Sequence, residues 1–125
     1  MAQGRGNAAG FAVAIMLCLV VHQIGAAQAK IHKVGDQKGW TYNVATWPHR
    51  KTFKAGDKLY FKYNPMFHNV IAVTKKGYKK CTVPKGAKVY NKGVDKIKLV
   101  KGPNYFICGY PQHCQSGMKL AIYAQ

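Results

Sequence analysis

The chain has 125 residues and a formal net charge of +17, because 20 lysines and arginines stand against only three acidic residues. This length corresponds to one domain. So few carboxylates disfavour an enzyme whose nucleophile depends on an orienting acid, and so basic a surface attracts anionic partners.

The first 29 residues have the pattern of a secretory signal peptide. Arg5 precedes an unbroken apolar run at residues 11–21, and Ala27-Gln28-Ala29 is a small-residue cleavage signature. The run is shorter than the ~20 residues that a membrane-spanning helix needs. We therefore predict cleavage before Lys30, no membrane anchor, and one secreted domain at 30–125. Since residues 1–29 contain one basic residue and no acid, that domain has a net charge of +16.

Short segments rich in β-branched and aromatic residues follow one another through the predicted domain, separated by glycine, proline and asparagine. The predicted strands are Ile31–Val34, Lys58–Tyr63, Asn69–Thr74, Lys96–Val100, Tyr105–Cys108 and Lys119–Tyr123. Residues 75–80 are predicted to form a basic turn, and no segment has a convincing amphipathic helical pattern. This spacing is typical of an all-β sandwich or barrel.

The segment between the last two strands carries three evenly spaced metal-binding side chains. Cys108, His113 and Met118 are each separated by four residues. A thiolate, an imidazole and a weak thioether suit copper, which lacks only a second imidazole here. His68 is the best candidate because it lies at the N-terminal edge of a predicted strand. His32 and His49 lack this context and are expected to face solvent.

The cysteine count is odd once the signal peptide is removed. Cys18 lies in the apolar part of the signal, which leaves Cys81, Cys108 and Cys114. In an oxidising compartment two of these should pair. If His113 faces a metal, its neighbour Cys114 faces away and is free to pair with Cys81, although spacing alone does not exclude a Cys81–Cys108 bridge.

These motifs resemble those of the phytocyanins, the plant blue-copper cupredoxins, and within them the plantacyanin or basic blue protein group. The resemblance covers nearly all of residues 30–125. It is carried by Val34-Gly35-Asp36, Gly39-Trp40, Phe53-Lys54-Ala55-Gly56-Asp57, Tyr63-Asn64-Pro65, His68-Asn69-Val70, Gly86-Ala87-Lys88-Val89-Tyr90, Tyr105-Phe106-Ile107-Cys108 and His113-Cys114-Gln115-Ser116-Gly117-Met118.

The resemblance implies a cupredoxin-like Greek-key β-sandwich with one type 1 copper. The implied copper ligands are His68, Cys108, His113 and Met118, and the implied disulfide joins Cys81 to Cys114. Asn69 is implied to tie the His68 strand to the cysteine loop. Met118 favours the plantacyanin or uclacyanin type over stellacyanins, which have glutamine there, and the lack of a Pro/Ser-rich tail and anchor signal favours the plantacyanins. Gln112 departs from the glycine that such proteins often carry before the histidine.

Three functions follow as hypotheses. The first is a secreted, extracellular, monomeric carrier of single electrons with an unidentified redox partner. The second is a cationic protein of the cell wall or extracellular matrix, for example in pollen-tube adhesion or guidance, in which copper is structural. Its partner would be an acidic polysaccharide or acidic protein, since secretion argues against nucleic acid. The third, an enzyme using Cys108 and His113, is disfavoured because none of the three acids lies near this loop.

Overall fold

A computed structural model describes residues 28–125, so residues 1–27 of the predicted signal peptide lie outside the described part. The chain forms seven strands and one α-helix within this range. The strands are β1 (Ile31–Lys33), β2 (Lys58–Lys62), β3 (Val70–Val73), β4 (Val89–Tyr90), β5 (Val94–Lys98), β6 (Gly102–Ile107) and β7 (Lys119–Ala124). The α-helix, α1, spans Lys75–Lys80, and two 3-10 turns span Asp36–Lys38 and Val44–Thr46.

The strands are arranged in two sheets. The three-stranded sheet has the order β1-β2-β5, and the four-stranded sheet has the order β4-β3-β6-β7. Strands β1 and β2 run parallel, whereas the other paired strands run antiparallel. The predicted all-β class is therefore confirmed, and each strand has one face directed inwards and one directed outwards.

One apolar core is formed by inward residues of both sheets. Leu59 and Phe61 on β2 are fully buried, and so is Leu120 on β7. Trp40, which lies between the two 3-10 turns, is buried with them. The Trp40 and Phe61 rings meet edge to face at 5.1 Å between centroids, an arrangement that aromatic quadrupoles favour. Cys108 and Met118 belong to the same buried cluster. The predicted metal site is thus continuous with the packed core.

The helix α1 replaces the basic turn that we predicted at residues 75–80. Thr74 caps it, because its hydroxyl oxygen accepts a hydrogen bond from the Gly77 backbone N–H at 3.1 Å. A Cβ at position 77 would lie 2.7 Å from the Thr82 carbonyl oxygen, so only glycine fits there. Within residues 28–125 no helix is long and apolar enough to cross a bilayer.

Candidate metal centre

The loop between β6 and β7 is closed by its own backbone. Cys108 donates its N–H to the Met118 carbonyl at 3.1 Å, and Met118 donates to the His113 carbonyl at 3.0 Å. His113 in turn donates to the Tyr110 carbonyl at 3.2 Å. Two of these hydrogen bonds therefore connect the first, middle and last predicted ligands of the loop, and the third closes the turn before His113.

The side chains of His68, Cys108 and His113 converge. Their metal-binding atoms all lie within 4.8 Å of one another. The Nδ1 atoms of the two histidines are 3.1 Å apart, and the Cys108 sulfur is 3.5 Å from Nδ1 of His113. Cys108 is 1% exposed, whereas the two imidazoles are half-buried. The thiol therefore faces the core, and the histidines form the wall between it and solvent.

Tyr42 completes this wall, and sequence reasoning assigned it no role. Its hydroxyl lies 3.0 Å from Nε2 of His113, and its ring packs edge to face against both histidines. Nδ1 of His113 is directed at the cluster; a metal bound at Nδ1 would leave the hydrogen on Nε2, which would then donate to the Tyr42 oxygen. Such a hydrogen bond fixes the tautomer and the orientation of a metal-binding imidazole.

The electrostatic environment of His68 favours its neutral form. Burial lowers the pKa of His68, and repulsion from the nearby His113 lowers it further. A lower pKa increases the neutral fraction, and the neutral imidazole is the form that binds metals. The lowered pKa of His68 therefore favours metal binding over protonation at this residue.

His68 reaches the loop because a turn precedes β3. Its backbone N–H donates to the Asn64 carbonyl at 3.0 Å, and β3 begins two residues later at Val70. The next residue, Asn69, accepts a hydrogen bond from the Gly109 N–H at 2.7 Å through its side-chain oxygen. A Cβ at position 109 would collide with the Ile71 side chain, so glycine permits this close approach. Asn69 therefore connects the His68 segment directly to the cysteine loop.

The disulfide that the family resemblance implied is present. Cys81 and Cys114 are bonded at 2.07 Å, while Cys108 keeps a free thiol. Cys81 directly follows α1, so the bridge attaches the metal loop to that helix. The two loop cysteines consequently have separate roles, as expected.

Met118 is fully buried in the same core cluster as Cys108. Its backbone is bonded to both Cys108 and His113, which places it at the closing end of the loop. The structure brings together two imidazoles and one thiol, and Met118 remains the predicted fourth ligand. This chemistry fits copper, because soft sulfur ligands and imidazoles both suit that metal.

The remaining described histidines take no part in this cluster. His49 is exposed, as predicted. We predicted that His32 faces solvent, and this was wrong. Its Nε2 lies 2.9 Å from Oδ2 of the buried Asp57, and its ring packs against Phe53. The alternating pattern of β1 did not reveal this partner, which is 25 residues away in the sequence.

A shallow depression surrounds the two histidine edges. It is lined by Tyr42, Met66, Phe67, His68, Tyr110 and His113. Met66 is 76% exposed and Phe67 is 57% exposed. These values make the ring of side chains around the histidines an exposed hydrophobic patch, which commonly marks an interaction site.

Comparison with known proteins agrees with the fold and the cluster. A family model described as a plastocyanin-like domain matches residues 37–118. Chemocyanin of Lilium longiflorum is 46% identical over 125 residues, which cover 99% of both chains. The structure of cucumber basic protein, a blue copper protein, matches with a TM-score of 0.75 and 54% identity, covering 76% of this chain and 99% of that one. Spinach plantacyanin matches with a TM-score of 0.65 and 50% identity, covering 70% and 94%.

These matches and the two-sheet fold define a cupredoxin with a plastocyanin-like domain. The chain belongs to the phytocyanins, the blue-copper proteins of plants. The predicted family resemblance and cupredoxin-like sandwich are thereby confirmed. Membership of this family, together with the histidine and cysteine cluster, identifies a copper-binding electron-transfer protein with one copper per chain.

Proposed function

We propose that the protein is a secreted carrier of single electrons whose copper is held by His68, Cys108 and His113, with Met118 as a weak fourth ligand. The observation that carries this proposal is the convergence of two imidazole nitrogens and one buried sulfur within 4.8 Å. Copper supplies the exchange between its cuprous and cupric states. A ligand set of mixed softness accommodates both states, so little of the protein has to move.

The residues around the cluster have distinct parts in this function. The core excludes water from the Cys108 sulfur, which is 1% exposed. Tyr42 orients His113 through its Nε2 hydrogen bond, and Asn69 holds the His68 segment against Gly109. Because these contacts do not include the metal-facing nitrogens, they can hold the ligands in both redox states.

The exposed histidine edges provide the route for the electron. They lie in the shallow depression beside the exposed side chains of Met66, Phe67 and Tyr110. A small apolar contact excludes water between two redox centres without creating a permanent complex, as is typical of the weak interfaces used in electron transfer. The redox partner is therefore expected to bind briefly at this depression.

Carrier function does not require a catalytic acid or base. The positions of the three aspartates agree with this. Asp57 is bonded to His32, and Asp95 accepts a hydrogen bond from Tyr63. The third acid, Asp36, lies exposed in the first 3-10 turn. None of them hydrogen-bonds to His68, Cys108 or His113 in the described part of the chain. A non-enzymatic role is accordingly part of our proposal.

Secretion with cleavage before Lys30 is also a proposal. The Lys30 backbone nitrogen donates to Oδ1 of the buried Asp57 at 3.0 Å, and the Lys30 carbonyl accepts from the Lys58 N–H at 2.8 Å. After cleavage, this nitrogen becomes an α-ammonium group whose charge Asp57 would compensate. Mass determination of the protein secreted by plant cells tests this, because a mature chain starting elsewhere than Lys30 contradicts the proposed site.

The test of the carrier function is a reductive titration of the copper-loaded protein. We expect reversible loss of the visible thiolate-to-copper absorption after uptake of one electron per chain. His113→Gln should abolish this response, whereas His49→Gln, a matched change at an exposed histidine, should leave it intact. A wild-type protein that binds copper without reversible one-electron chemistry would contradict the proposal.

A further inference from the structure

The outer face of the three-stranded sheet carries lysines and no acid. The burial pattern of β2 directs Leu59 and Phe61 inwards and its other residues outwards. The pattern of β5 likewise buries Asp95 and Ile97. The outward residues of the sheet include five exposed lysines, which we call the lysine face: Lys33, Lys58, Lys62, Lys96 and Lys98.

The strand register concentrates this charge. Lys58 lies directly opposite Lys98, and Tyr60 lies between Lys33 on β1 and Lys96 on β5. Neighbouring strands are about 4.8 Å apart, and successive outward residues along one strand are about 6.6 Å apart. Like charges directly opposite each other destabilise a sheet. The lysine face is thus a flat cationic array held together despite internal repulsion.

The molecule itself does not neutralise this array. The ion pair found in residues 28–125 joins His32 to Asp57, and both Asp57 and Asp95 are buried. Other lysines do have intramolecular partners, since Lys51, Lys88 and Lys119 lie over the rings of Trp47, Tyr90 and Tyr78, respectively. No described contact of this kind involves the five ammonium groups of the lysine face, which remain available to a ligand.

We propose that the lysine face is a second binding site, whose ligand is a linear polysaccharide with repeated carboxylate groups. A flat array with several cations suits an extended polyanion better than a small ligand, which requires a concave pocket. The half-buried Tyr60 ring at its centre offers an apolar surface with a polar tip, on which a sugar ring can pack. The choice of a polysaccharide rests on the proposed secretion, which removes the chain from nucleic acid.

The lysine face is separate from the copper cluster. His68 precedes β3, and Cys108 and His113 follow β6, both of which belong to the four-stranded sheet. The inward residues Leu59 and Phe61 on β2 and Ile97 on β5 belong to the core that separates the lysine face from that sheet. A carrier bound through its lysines would keep its histidine edges free for electron exchange. Anchoring and electron transfer are therefore compatible in one molecule.

The test measures binding of the copper-loaded secreted protein to de-esterified polygalacturonate, with fully methyl-esterified polymer as the uncharged control. The triple variant Lys58→Gln/Lys96→Gln/Lys98→Gln should bind about tenfold more weakly than wild type. The control variant Lys75→Gln/Lys76→Gln/Lys79→Gln removes the same charge from α1 and should lose about twofold or less. Added salt should weaken wild-type binding, because exposed charges are screened.

Equal losses in the two triple variants would overturn the site, since net charge alone would then explain binding. Equal affinity for the methyl-esterified polymer would overturn the role of carboxylates. Tighter binding to an oligonucleotide or to anionic vesicles, through the same lysines, would overturn the choice of polysaccharide. The copper absorption should be identical in all variants, so failure of this site and failure of the carrier function are distinguished in the same samples.

Tyr60→Leu separates sugar recognition from charge. We expect about threefold weaker binding to polygalacturonate and unchanged binding to polyglutamate, which carries carboxylates without sugar rings. An equal effect on both polymers, or none on polygalacturonate, would overturn the packing of sugar on Tyr60.

Discussion

Two histidines in this molecule have partners of different chemistry, and the partner decides whether the histidine is structural or a metal ligand. At one end of the three-stranded sheet, His32 is paired with the carboxylate of Asp57 at 2.9 Å. At one end of the two inner strands of the four-stranded sheet, His68 faces a second imidazole, that of His113, at 3.1 Å, with a buried thiol beside it. The carboxylate of Asp57 is itself the hydrogen-bond partner of His32, whereas the second imidazole and the thiol beside His68 are ligands that a metal cation can share with it. The partner, more than burial, thus distinguishes a structural histidine from a metal ligand.

Copper loading provides the largest expected difference between the two pairs. At a free copper concentration about 1,000 times Kd, binding should stabilise the folded state by about 4 kcal/mol. His113→Gln should lose this stabilisation, which thermal unfolding with and without copper measures. His32→Gln should retain the copper-dependent gain even if its starting stability is lower. Equal loss in both variants would remove the distinction between the pairs.

Asp57 tests the structural pair. Burial raises its pKa, but hydrogen bonds from His32, Lys30 and Lys54 outweigh this and lower the pKa from 3.8 to about 2. Because the folded pKa is below the unfolded one, the carboxylate contributes full stability above pH 3.8, and this contribution disappears as the pH falls towards 2.

Asp57→Asn should therefore cost about 2–3 kcal/mol at neutral pH and flatten acid unfolding in this window, while the copper absorption persists. Chemical unfolding at a series of pH values measures both effects. Asp36→Asn, at an exposed position, is the matched control and should change little. Loss of copper colour in Asp57→Asn would mean that the two ends are not independent.

Gln112 tests whether backbone strain at the metal end is needed for ligation. Its φ of +72° lies in the left-handed region, which disfavours residues with a Cβ. Gln112→Gly should stabilise the fold by about 0.5–1 kcal/mol without changing the copper absorption. Gln115→Gly, in the same loop without a positive φ, should not stabilise it. A spectral change in Gln112→Gly would show that the strain helps to set the ligand geometry.

The smallest expected effect concerns the sheet that carries His32. Lys98→Glu replaces the repulsion across Lys58 and Lys98 with an attraction and should stabilise the fold by about 0.5 kcal/mol. Thermal unfolding measures this change, and Lys101→Glu outside the strands is the control. A destabilised Lys98→Glu would contradict the proposed repulsion within the lysine face.

The sequence predicted the parts of this molecule that depend on local spacing. Cys108, His113 and Met118 share one loop, and the strand pattern after His68 marked it as the remote member of the cluster. Tyr42 was missed because its contact with His113 spans 71 residues, and no local pattern marks such a partner. The helix α1 was missed because it is short, rich in lysine and without an amphipathic stripe, and its start is marked only by the Thr74 cap.

The sequence also did not predict where β5 begins or which side chain pairs with Asp95. The strand β5 begins at Val94, two residues before the predicted strand, and places Asp95 inside. Its partner there is the Tyr63 hydroxyl, and this hydrogen bond accounts for a buried acid in an apolar alternation. The burial of Tyr63 and its bond to Asp95 raise the pKa of the tyrosine. Such interactions depend on the register between β2 and β5, which alternation alone does not determine.

The most direct measurement of the central claim is a copper(II) titration of the purified protein followed by visible absorption. We predict an intense thiolate-to-copper band that saturates at one copper per chain and is absent in Cys108→Ser. A band that persists in Cys108→Ser, or a wild-type protein that takes up zinc but develops no such band with copper, would contradict the assignment of His68, Cys108 and His113 as its copper ligands.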